Sequence, residues 1–402
     1  MSPEIGPEIS PEISPDGWDL VVVGAGPAGA STALGALSAA PSLRVLLLDR
    51  ADFPRDKSCG DGIAPHVFDA LRTVGVDDVS AGWTPLRRLR LDRGASSVER
   101  ALARPVWVIP RRVFDARLVE RATAAGAVLA RHRVREVSPT SAGWVLDDRF
   151  RAKVVVAADG AQSVVACTAG RAPGRRALAI RGYAPTRPAR RDRQVIVYGH
   201  RRQPSYAWSF DRGDGLSNVG YGELLGDPAD PPSRRVLLEQ LEELLPGVVE
   251  TGTAWRGHHL PLSGWRWHQP DGGLLLVGDA AGLVNPMTGE GIYYAVATGI
   301  SAGRAAARAL AASDPRGAGA LHRTAVLRLL ARHLRHTSVA SRLSAWPVVV
   351  EAGIHAAGGS QRMFDDLVEI GLGRGTITPR LALGLAGRLT VPRHDPHRSV
   401  PQ

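Results

Sequence analysis

The residue best suited to chemistry is Cys59, one of only two cysteines in a chain of 402 residues. It stands in the segment RDKSCGDGI, residues 55–63, beside Lys57, one of only two lysines. A free thiol has a pKa of about 8.5, and burial among apolar groups raises that pKa. We therefore interpret Cys59 as a proton donor rather than a nucleophile. Simple packing of a small buried side chain is the alternative.

A second candidate for chemistry is the aromatic segment YAWSF at residues 206–210. Side chains alternate along a strand, so Tyr206, Trp208 and Phe210 share one face. Tyr206 and Trp208 each combine an apolar body with a polar tip, and we predict that they line a cavity. For Phe210 the preferred interpretation is core packing.

These residues need a scaffold, and the segment WDLVVVGAGPAGAS at residues 18–31 indicates its first part. A hydrophobic strand runs directly into a glycine-rich turn and an alanine-rich helix. Gly24 makes the tight bend, Gly26 lets the backbone approach a pyrophosphate, and Gly29 lets helix and strand pack closely. The free N–H groups of the helix N-terminus then bind phosphates. We assign Ala28, within the same turn, to the cofactor site as well.

The next strand, RVLLLD, ends at Asp49 and is followed by Arg50. A carboxylate at this position accepts both hydroxyls of an adenosine ribose and repels a 2′-phosphate. The sequence therefore predicts bound FAD or NAD rather than NADP, with Asp49 and Arg50 beside the nucleotide.

Two later turns also follow strands. AKVVVAADG ends in Asp159 and Gly160, and GGLLLVGDAAG contains Gly278 and Asp279. Asp279 is placed to hold a ribityl hydroxyl. The helix that starts near residues 289–292 can face the pyrimidine ring of a flavin and stabilise negative charge there. The cofactor residues predicted from these turns are Asp159, Gly160, Gly278, Asp279, Gly289, Gly291 and Ile292.

The three glycine- and aspartate-containing turns, in the order in which they occur along the chain, resemble those of one FAD-binding fold. It is the fold of the para-hydroxybenzoate hydroxylase and geranylgeranyl reductase superfamily. IPRRVFDARLVERA, residues 109–122, resembles its Arg-x-x-Phe-Asp helix start. That resemblance places Arg111 near the cofactor, with Arg112 as the rival, and Val134 is assigned to the same site. Relatives often carry a basic residue shortly after the Asp-Gly turn, where this chain has Ala166. Because this departure weakens any inference about how the nicotinamide donor docks, we assign no residue to its binding.

Two segments resemble the geranylgeranyl reductase family in particular. CGDG resembles its Cys-Gly-x-Gly segment, which implies that Cys59 lies close to the flavin and that Gly60 and Gly62 contact the cofactor. YAWSFD resembles its Tyr-x-Trp-x-Phe-Pro motif, with Asp211 in place of the proline, and Asn-Val-Gly follows at residues 218–220.

The resemblance implies an α/β fold: a Rossmann-like FAD-binding domain of the GR2 type with an inserted antiparallel-sheet substrate domain and C-terminal helices. The FAD-binding domain is expected at residues 17–80, 109–180 and 271–312, and the substrate domain at 81–108 and 181–270. A helical region is expected at 313–390. Residues 1–16 and 391–402 are expected to be disordered tails.

The implied function is FAD-dependent reduction of C=C bonds in an isoprenoid chain, with NAD(P)H as the electron donor. The alternative is an FAD-dependent monooxygenase acting on a secondary metabolite, although GDAAG lacks the histidine more usual in hydroxylases. A halogenase is disfavoured because no lysine lies between residues 58 and 152. A prenyl-protein escort protein, which is not an enzyme, would not need these turns together with the cysteine.

The amino-acid composition limits the classes of partner that the protein is expected to bind. The net charge of +11 is carried almost wholly by arginine. It reflects a codon preference, or it indicates attraction to an anionic membrane face or to a diphosphate-bearing substrate. The basic runs of the chain lack interleaved aromatic residues, which disfavours nucleic-acid binding.

No signal peptide and no metal motif are predicted. The uncharged run at residues 20–43 is not predicted to span a membrane, because it contains strand, turn and helix patterns. We expect a cytoplasmic protein with an apolar or prenyl-lipid substrate. Peripheral membrane contact and oligomeric state are left open.

Overall fold

The computed structural model describes residues 17–172, 174–226 and 231–389. The expected tails, residues 1–16 and 391–402, lie outside these ranges. The described strands are β1 (Trp18–Val23), β2 (Val45–Asp49), β3 (Gly62–Ile63), β4 (Leu86–Arg93), β5 (Ser96–Val108), β6 (Val128–Arg131), β7 (Val137–Thr140), β8 (Gly143–Leu146), β9 (Phe150–Ala157), β10 (Arg176–Pro185), β11 (Gln194–Tyr198), β12 (Tyr206–Asp211), β13 (Leu216–Leu224), β14 (Thr253–Pro261) and β15 (Leu274–Leu276). The described α-helices are α1 (Pro27–Ala39), α2 (Pro65–Arg72), α3 (Arg111–Ala124), α4 (Val164–Thr168), α5 (Arg234–Leu244), α6 (Val248–Thr251), α7 (Ile292–Ala311), α8 (Ala318–Leu343), α9 (Pro347–Gly359), α10 (Gln361–Leu372) and α11 (Pro379–Leu389).

The first sheet carries the nucleotide-binding turns. Its order is β6-β2-β1-β9-β8-β7, and β15 also pairs with β9. β6, β2, β1, β9 and β15 run parallel, whereas β8 and β7 form an antiparallel extension. The parallel strands are nearly continuous runs of Val and Leu because helices or further chain cover both of their faces. Their carboxyl ends lie at one edge of the sheet, where the turns after β1, β2 and β9 come together.

Helices α1 and α7 pack against each other with almost no side chain between them. A Cβ on Gly299 would lie 2.3 Å from the Ala28 carbonyl oxygen, and one on Gly303 would lie 2.1 Å from that of Thr32. These contacts are shorter than van der Waals distances, so only glycine fits at either position. The two helices therefore form one unit, and the N-terminus of each lies at the same cavity.

The second sheet has the order β14-β10-β13-β12-β11-β4-β5-β3. Its pairs are antiparallel except for β11 and β4, which run parallel. This exception to the expected antiparallel sheet arises because β4 and β11 belong to different segments of the chain. Parallel strands need such a long crossover, here through the first sheet. The aromatic strand β12 lies inside the sheet, between β11 and β13.

The C-terminal helices cover one face of the second sheet. α9 and α10 pack on β4 and β5 through a cluster that includes Leu86, Val98, Ile354 and Phe364. Helix α11 packs in turn on α9. None of the helices in the described part of the chain combines the length and the apolar character that a membrane crossing requires.

Candidate functional site

One cavity of about 1010 Å³ lies between the two sheets and the C-terminal helices. Of the predicted site residues, those that line it are Gly24, Gly26, Ala28, Asp49, Arg50, Cys59, Gly60, Gly62, Arg111, Val134, Asp159, Gly160, Tyr206, Trp208, Asp279, Gly289, Gly291 and Ile292. Gly29 and Gly278 lie behind its wall. Arg111 is buried at the cavity, whereas Arg112 is exposed to solvent, so Arg111 stays the candidate for contact with the cofactor.

The turn after β1 has the geometry of a phosphate-binding turn. Gly24 has a φ of +98°, and a Cβ there would lie 2.3 Å from the Ala158 carbonyl oxygen. A Cβ on Gly29 would lie 1.7 Å from the carbonyl oxygen of Gly24. No side chain caps the N-terminus of α1, so its first N–H groups are available to an anion.

Asp49 ties this turn to the second strand. Its Oδ2 accepts a hydrogen bond from the Ala25 N–H at 2.8 Å, and its Oδ1 accepts one from the Ala51 N–H at 3.0 Å. The guanidinium of Arg55 lies 3.7 Å from Oδ2. A carboxylate oxygen can accept more than one hydrogen bond, so both oxygens can also bind ribose hydroxyls.

A buried ion pair lies on the wall next to the thiol. Arg111 donates to both oxygens of Asp115, at 2.6 and 2.8 Å, and Asp115 is fully buried. Burial opposes the charge of Arg111, but Asp115 beside it holds the pKa of Arg111 above its ordinary value. Arg55 also donates to Asp115 at 3.2 Å. The three side chains place two guanidinium groups at the cavity.

The other two aspartates of the predicted turns have different partners. Asp159 accepts hydrogen bonds from the Ser163 hydroxyl and from the Val164 N–H, so its carboxylate holds the turn before α4. Asp279 lies 3.5 Å from the ammonium of Lys57, which is partly buried rather than fully solvated. Lys57 thus connects the cysteine loop to the turn after β15.

A hydrogen-bond network fixes the cysteine loop against the aromatic strand. Asn218 donates from Nδ2 to the Cys59 carbonyl at 2.9 Å and to Asp61 at 2.8 Å. Its Oδ1 accepts a hydrogen bond from Trp208 Nε1 at 2.8 Å. The Asn-Val-Gly segment of β13 thus positions both predicted catalytic elements.

Asp61, which sequence reasoning missed, is the centre of this network. It is fully buried and has a φ of +58°, a left-handed conformation that aspartate tolerates better than most residues. It also accepts a hydrogen bond from the Tyr183 hydroxyl at 2.6 Å. Burial raises the pKa of Asp61 to about 6, against the opposing hydrogen bonds from Tyr183 and Asn218. The Asp-Gly pair in the sequence indicated a turn but not its long-range partners.

The thiol of Cys59 is held in its protonated form. Burial raises its pKa, and the nearby positive charge of Arg111 only partly opposes that effect. Tyr206, whose hydroxyl donates to the Thr288 carbonyl, has a pKa raised by burial as well. At neutral pH both groups are neutral, so each can donate a proton or a hydrogen bond.

The aromatic side chains of β12 form a row along the cavity. The ring centroids of Tyr206 and Trp208 are 6.0 Å apart, and those of Trp208 and Phe210 are 6.4 Å apart. Phe210, for which core packing was preferred, also lines the cavity, because strand alternation places it on the same face. Tyr198 of β11 extends the row, with its ring centroid 6.3 Å from that of Tyr206.

Glu290 is the second cavity residue that sequence reasoning missed. Its Oε1 accepts a hydrogen bond from the Tyr293 N–H at 2.8 Å, in the first turn of α7. Burial raises the pKa of Glu290 to about 7, although the backbone N–H groups of Tyr293 and Ile292 oppose this shift. The Gly-Glu-Gly sequence suggested a turn for the cofactor, but nothing in it showed that this carboxyl would be buried.

These residues fit FAD. The uncapped N-terminus of α1 suits a pyrophosphate, Asp49 suits a ribose, and Asp279 suits a ribityl hydroxyl. Gly289 leaves room beside the aromatic row, since a Cβ there would lie 3.4 Å from the Tyr206 hydroxyl oxygen.

Comparisons with known proteins agree with this geometry. Residues 18–204 match the family model described as FAD binding domain. Menaquinone reductase of Mycolicibacterium smegmatis is 33% identical over 310 residues, which cover 70% of this chain and 74% of that protein. Digeranylgeranylglycerophospholipid reductase 1 of Methanopyrus kandleri is 35% identical over 332 residues, which cover 74% of this chain and 82% of that protein.

A solved structure shares the fold. The geranylgeranyl bacteriochlorophyll reductase-like protein of Thermoplasma acidophilum superimposes with a TM-score of 0.72 at 22% identity, covering 92% of this chain and 95% of that one. The sequence matches to the two reductases extend over 70% and 74% of this chain. The chain therefore belongs to the geranylgeranyl reductase family of FAD-dependent oxidoreductases.

Proposed function

We propose that the protein reduces C=C bonds in the isoprenoid chain of a prenyl lipid, prenylquinone or terpenoid. The observation that carries this proposal is the shape of the cavity. From the nucleotide-binding turns it passes Cys59 and the aromatic row and continues into an apolar arm under the C-terminal helices. Relatives at more than 30% identity include menaquinone reductases and a digeranylgeranylglycerophospholipid reductase.

The apolar arm suits a long hydrocarbon. Its walls come from β4, β5 and β11 on one side and from α9, α10 and α11 on the other. Apolar residues that line it include Leu89, Leu91, Val106, Ile196, Val350, Ile354, Leu367, Val368, Leu381 and Leu385. Each methylene moved from water into such a wall contributes about 0.8 kcal/mol, so an isoprenoid chain is bound through its length.

The chemistry divides between the cofactor and the side chains around it. Reduced FAD supplies a hydride when bound, and we propose NAD(P)H as the source of its electrons. Cys59 holds the proton for the other alkene carbon at its Sγ. The faces of Tyr206 and Trp208 stabilise the positive charge that develops on the substrate, by about 0.5–2 kcal/mol each. One hydride and one proton convert the alkene to an alkane.

Anaerobic turnover tests this proposal against the monooxygenase alternative. We expect the FAD-loaded protein with NADPH and a geranylgeranyl lipid to give a product heavier by one dihydrogen equivalent without O2. Mass spectrometry of the extracted lipid measures the change. A product that contains an added oxygen atom and forms only in the presence of O2 would reject the reductase.

We further propose that the mouth of the apolar arm contacts a membrane surface. Four exposed apolar side chains, here called the apolar rim, lie beside residues that line the arm. They are Leu343, Trp346, Val348 and Leu383, exposed by 42%, 66%, 43% and 73%. Exposed Arg342 adjoins the rim and would attract anionic lipid headgroups. A tryptophan with flanking apolar residues favours the membrane interface.

The double substitution Trp346→Glu and Leu383→Glu is expected to lower binding to phosphatidylcholine–phosphatidylglycerol vesicles by at least about tenfold, because two apolar contacts are lost. Vesicle flotation measures the bound fraction. Trp265→Glu, at a tryptophan that is 47% exposed elsewhere on the surface, is the control. Equal losses in both variants would show that the rim is not the contact surface.

A further inference from the structure

A second cleft lies on a different face of α7 from the cofactor cavity. Its walls come from α2, α7 and α8 and from the turn after α10, and its volume is about 800 Å³. Ile292 and Ala295 of α7 line the cofactor cavity, whereas Tyr293 and Ala297 line this cleft. A molecule bound in the cleft would therefore not occupy the cofactor cavity.

Four exposed arginines give the cleft a positive charge, and we call it the arginine cleft. They are Arg304, Arg308, Arg328 and Arg374. Within the described ranges, the structure shows no ion pair between any of them and a carboxylate; Arg304 donates to the Thr73 carbonyl at 2.6 Å. Four positive charges that line one cleft give it a positive potential, so the cleft favours an anion.

The carboxylates near the cleft are already engaged. Asp69, which lines it, accepts hydrogen bonds from Arg104 at 2.7 and 2.8 Å and from Arg72 at 2.8 Å. Glu369 bonds to Nε2 of His66 at 2.9 Å. The buried Nδ1 of His66, also on the cleft wall, makes no hydrogen bond and lies 3.7 Å from Oδ2 of Asp69. Such unsatisfied buried nitrogens are uncommon in native proteins.

The floor of the arginine cleft is apolar and built from small residues. Ala70, Ala297, Ala305 and Ala325 lie there with Leu321 and Leu329. A cleft with cationic sides and such a floor suits an anion that carries an apolar or planar part. A small inorganic anion would leave most of the floor uncovered.

We propose that the arginine cleft binds a phosphate or diphosphate group carried by a larger organic molecule. The guanidinium group donates two parallel hydrogen bonds to the oxygens of a phosphate as well as of a carboxylate. Four arginines in one cleft match the two or more negative charges of a phosphate or diphosphate better than the single charge of a simple carboxylate. The phosphates of a nicotinamide dinucleotide and the headgroup of a phospholipid both present this chemistry. The site is distinct from the phosphate-binding turn at α1.

Calorimetric titration of the FAD-loaded full chain with inorganic pyrophosphate tests the site. We expect the double variant Arg308→Ala/Arg328→Ala to bind pyrophosphate at least about tenfold more weakly, because charged hydrogen bonds are lost. Arg332→Ala/Arg335→Ala changes the same charge on α8 outside the cleft and is expected to have a much smaller effect. Equal weakening in both pairs, or no binding by the parent protein, would overturn the proposal.

A second variant keeps the test decisive if the alanine variant does not fold. Arg308→Lys/Arg328→Lys retains the charge but removes the planar fork, and it is expected to weaken pyrophosphate binding less than the alanine pair does. Binding at the parent affinity would overturn the proposed guanidinium contacts.

Competition identifies the source of the phosphate. Displacement of pyrophosphate by NADP⁺ would assign the cleft to a dinucleotide. Displacement by dihexanoyl phosphatidylglycerol, kept below its micelle concentration, would assign it to a lipid headgroup. Failure of both to displace pyrophosphate would overturn the proposal, because the cleft would then hold only inorganic anions.

Discussion

Replacement of Cys59 by alanine is expected to slow product formation by about 10²- to 10⁴-fold, the usual contribution of a positioned general acid. In the proposed mechanism the thiol is the proton donor, and burial raises its pKa so that it stays neutral beside the aromatic row. Alanine keeps the size of the side chain near that of cysteine, so the cavity wall is preserved. Anaerobic single-turnover measurements with a geranylgeranyl lipid give the rate, and flavin absorbance reports bound FAD.

The second cysteine supplies the control for this experiment. Cys167 is a free cysteine exposed to solvent. Cys167→Ala is therefore expected to keep the parent rate and the parent flavin content. If Cys59→Ala retained FAD and turned over as fast as the parent, the thiol would be a packing residue. Another group in the cavity, such as Glu290, would then have to supply the proton.

Arg111→Ala is expected to lower the free energy of unfolding by about 3–5 kcal/mol, the cost of breaking a buried ion pair. The substitution leaves Asp115, which is fully buried, with Arg55 as its remaining charged partner. We also expect weaker FAD binding, because Arg111 lines the cavity. Urea unfolding measures the stability, and fluorescence titration of the apoprotein measures the affinity for FAD.

The neighbouring arginine makes this prediction specific. Arg112 is exposed on the same turn of α3. Arg112→Ala therefore removes the same charge but leaves the buried carboxylate of Asp115 paired with Arg111. Its expected effect on unfolding is within about 0.5 kcal/mol, as for surface substitutions generally. Equal destabilisation by the two variants would show that the buried pair has no special role.

Local patterns in the sequence predicted the turns well. Gly24, Gly29 and Asp49 lie within a short stretch of chain, and contacts inside it, such as that of Gly29 with Gly24 and that of Asp49 with Ala25, shape the turn. The strand alternation of YAWSF placed Tyr206 and Trp208 on one face for the same reason. Such features depend on backbone geometry, which residue type and spacing encode directly.

The remaining site residues depend on partners far along the chain. Asp61 and Asn218 are 157 positions apart, and no local pattern in the sequence indicates that their side chains meet. Glu290 looks like an exposed turn residue in the sequence, and its place in the cavity wall depends on segments that are distant along the chain. The parallel pairing of β11 with β4 was likewise not encoded in the alternation of either strand.

The glycine contact between α1 and α7 has a consequence for how this protein can change. Helix α1 begins where the diphosphate of an extended cofactor would bind, and helix α7 begins where its ring system would bind. Because the two helices form one unit, they fix the distance between the two ends of the cofactor site. No long side chain lies in the seam to take up a change in spacing. Substitutions in the apolar arm under the C-terminal helices can therefore adapt the protein to new hydrocarbons. In contrast, the contact between α1 and α7 tolerates almost no larger side chain at Gly299 or Gly303.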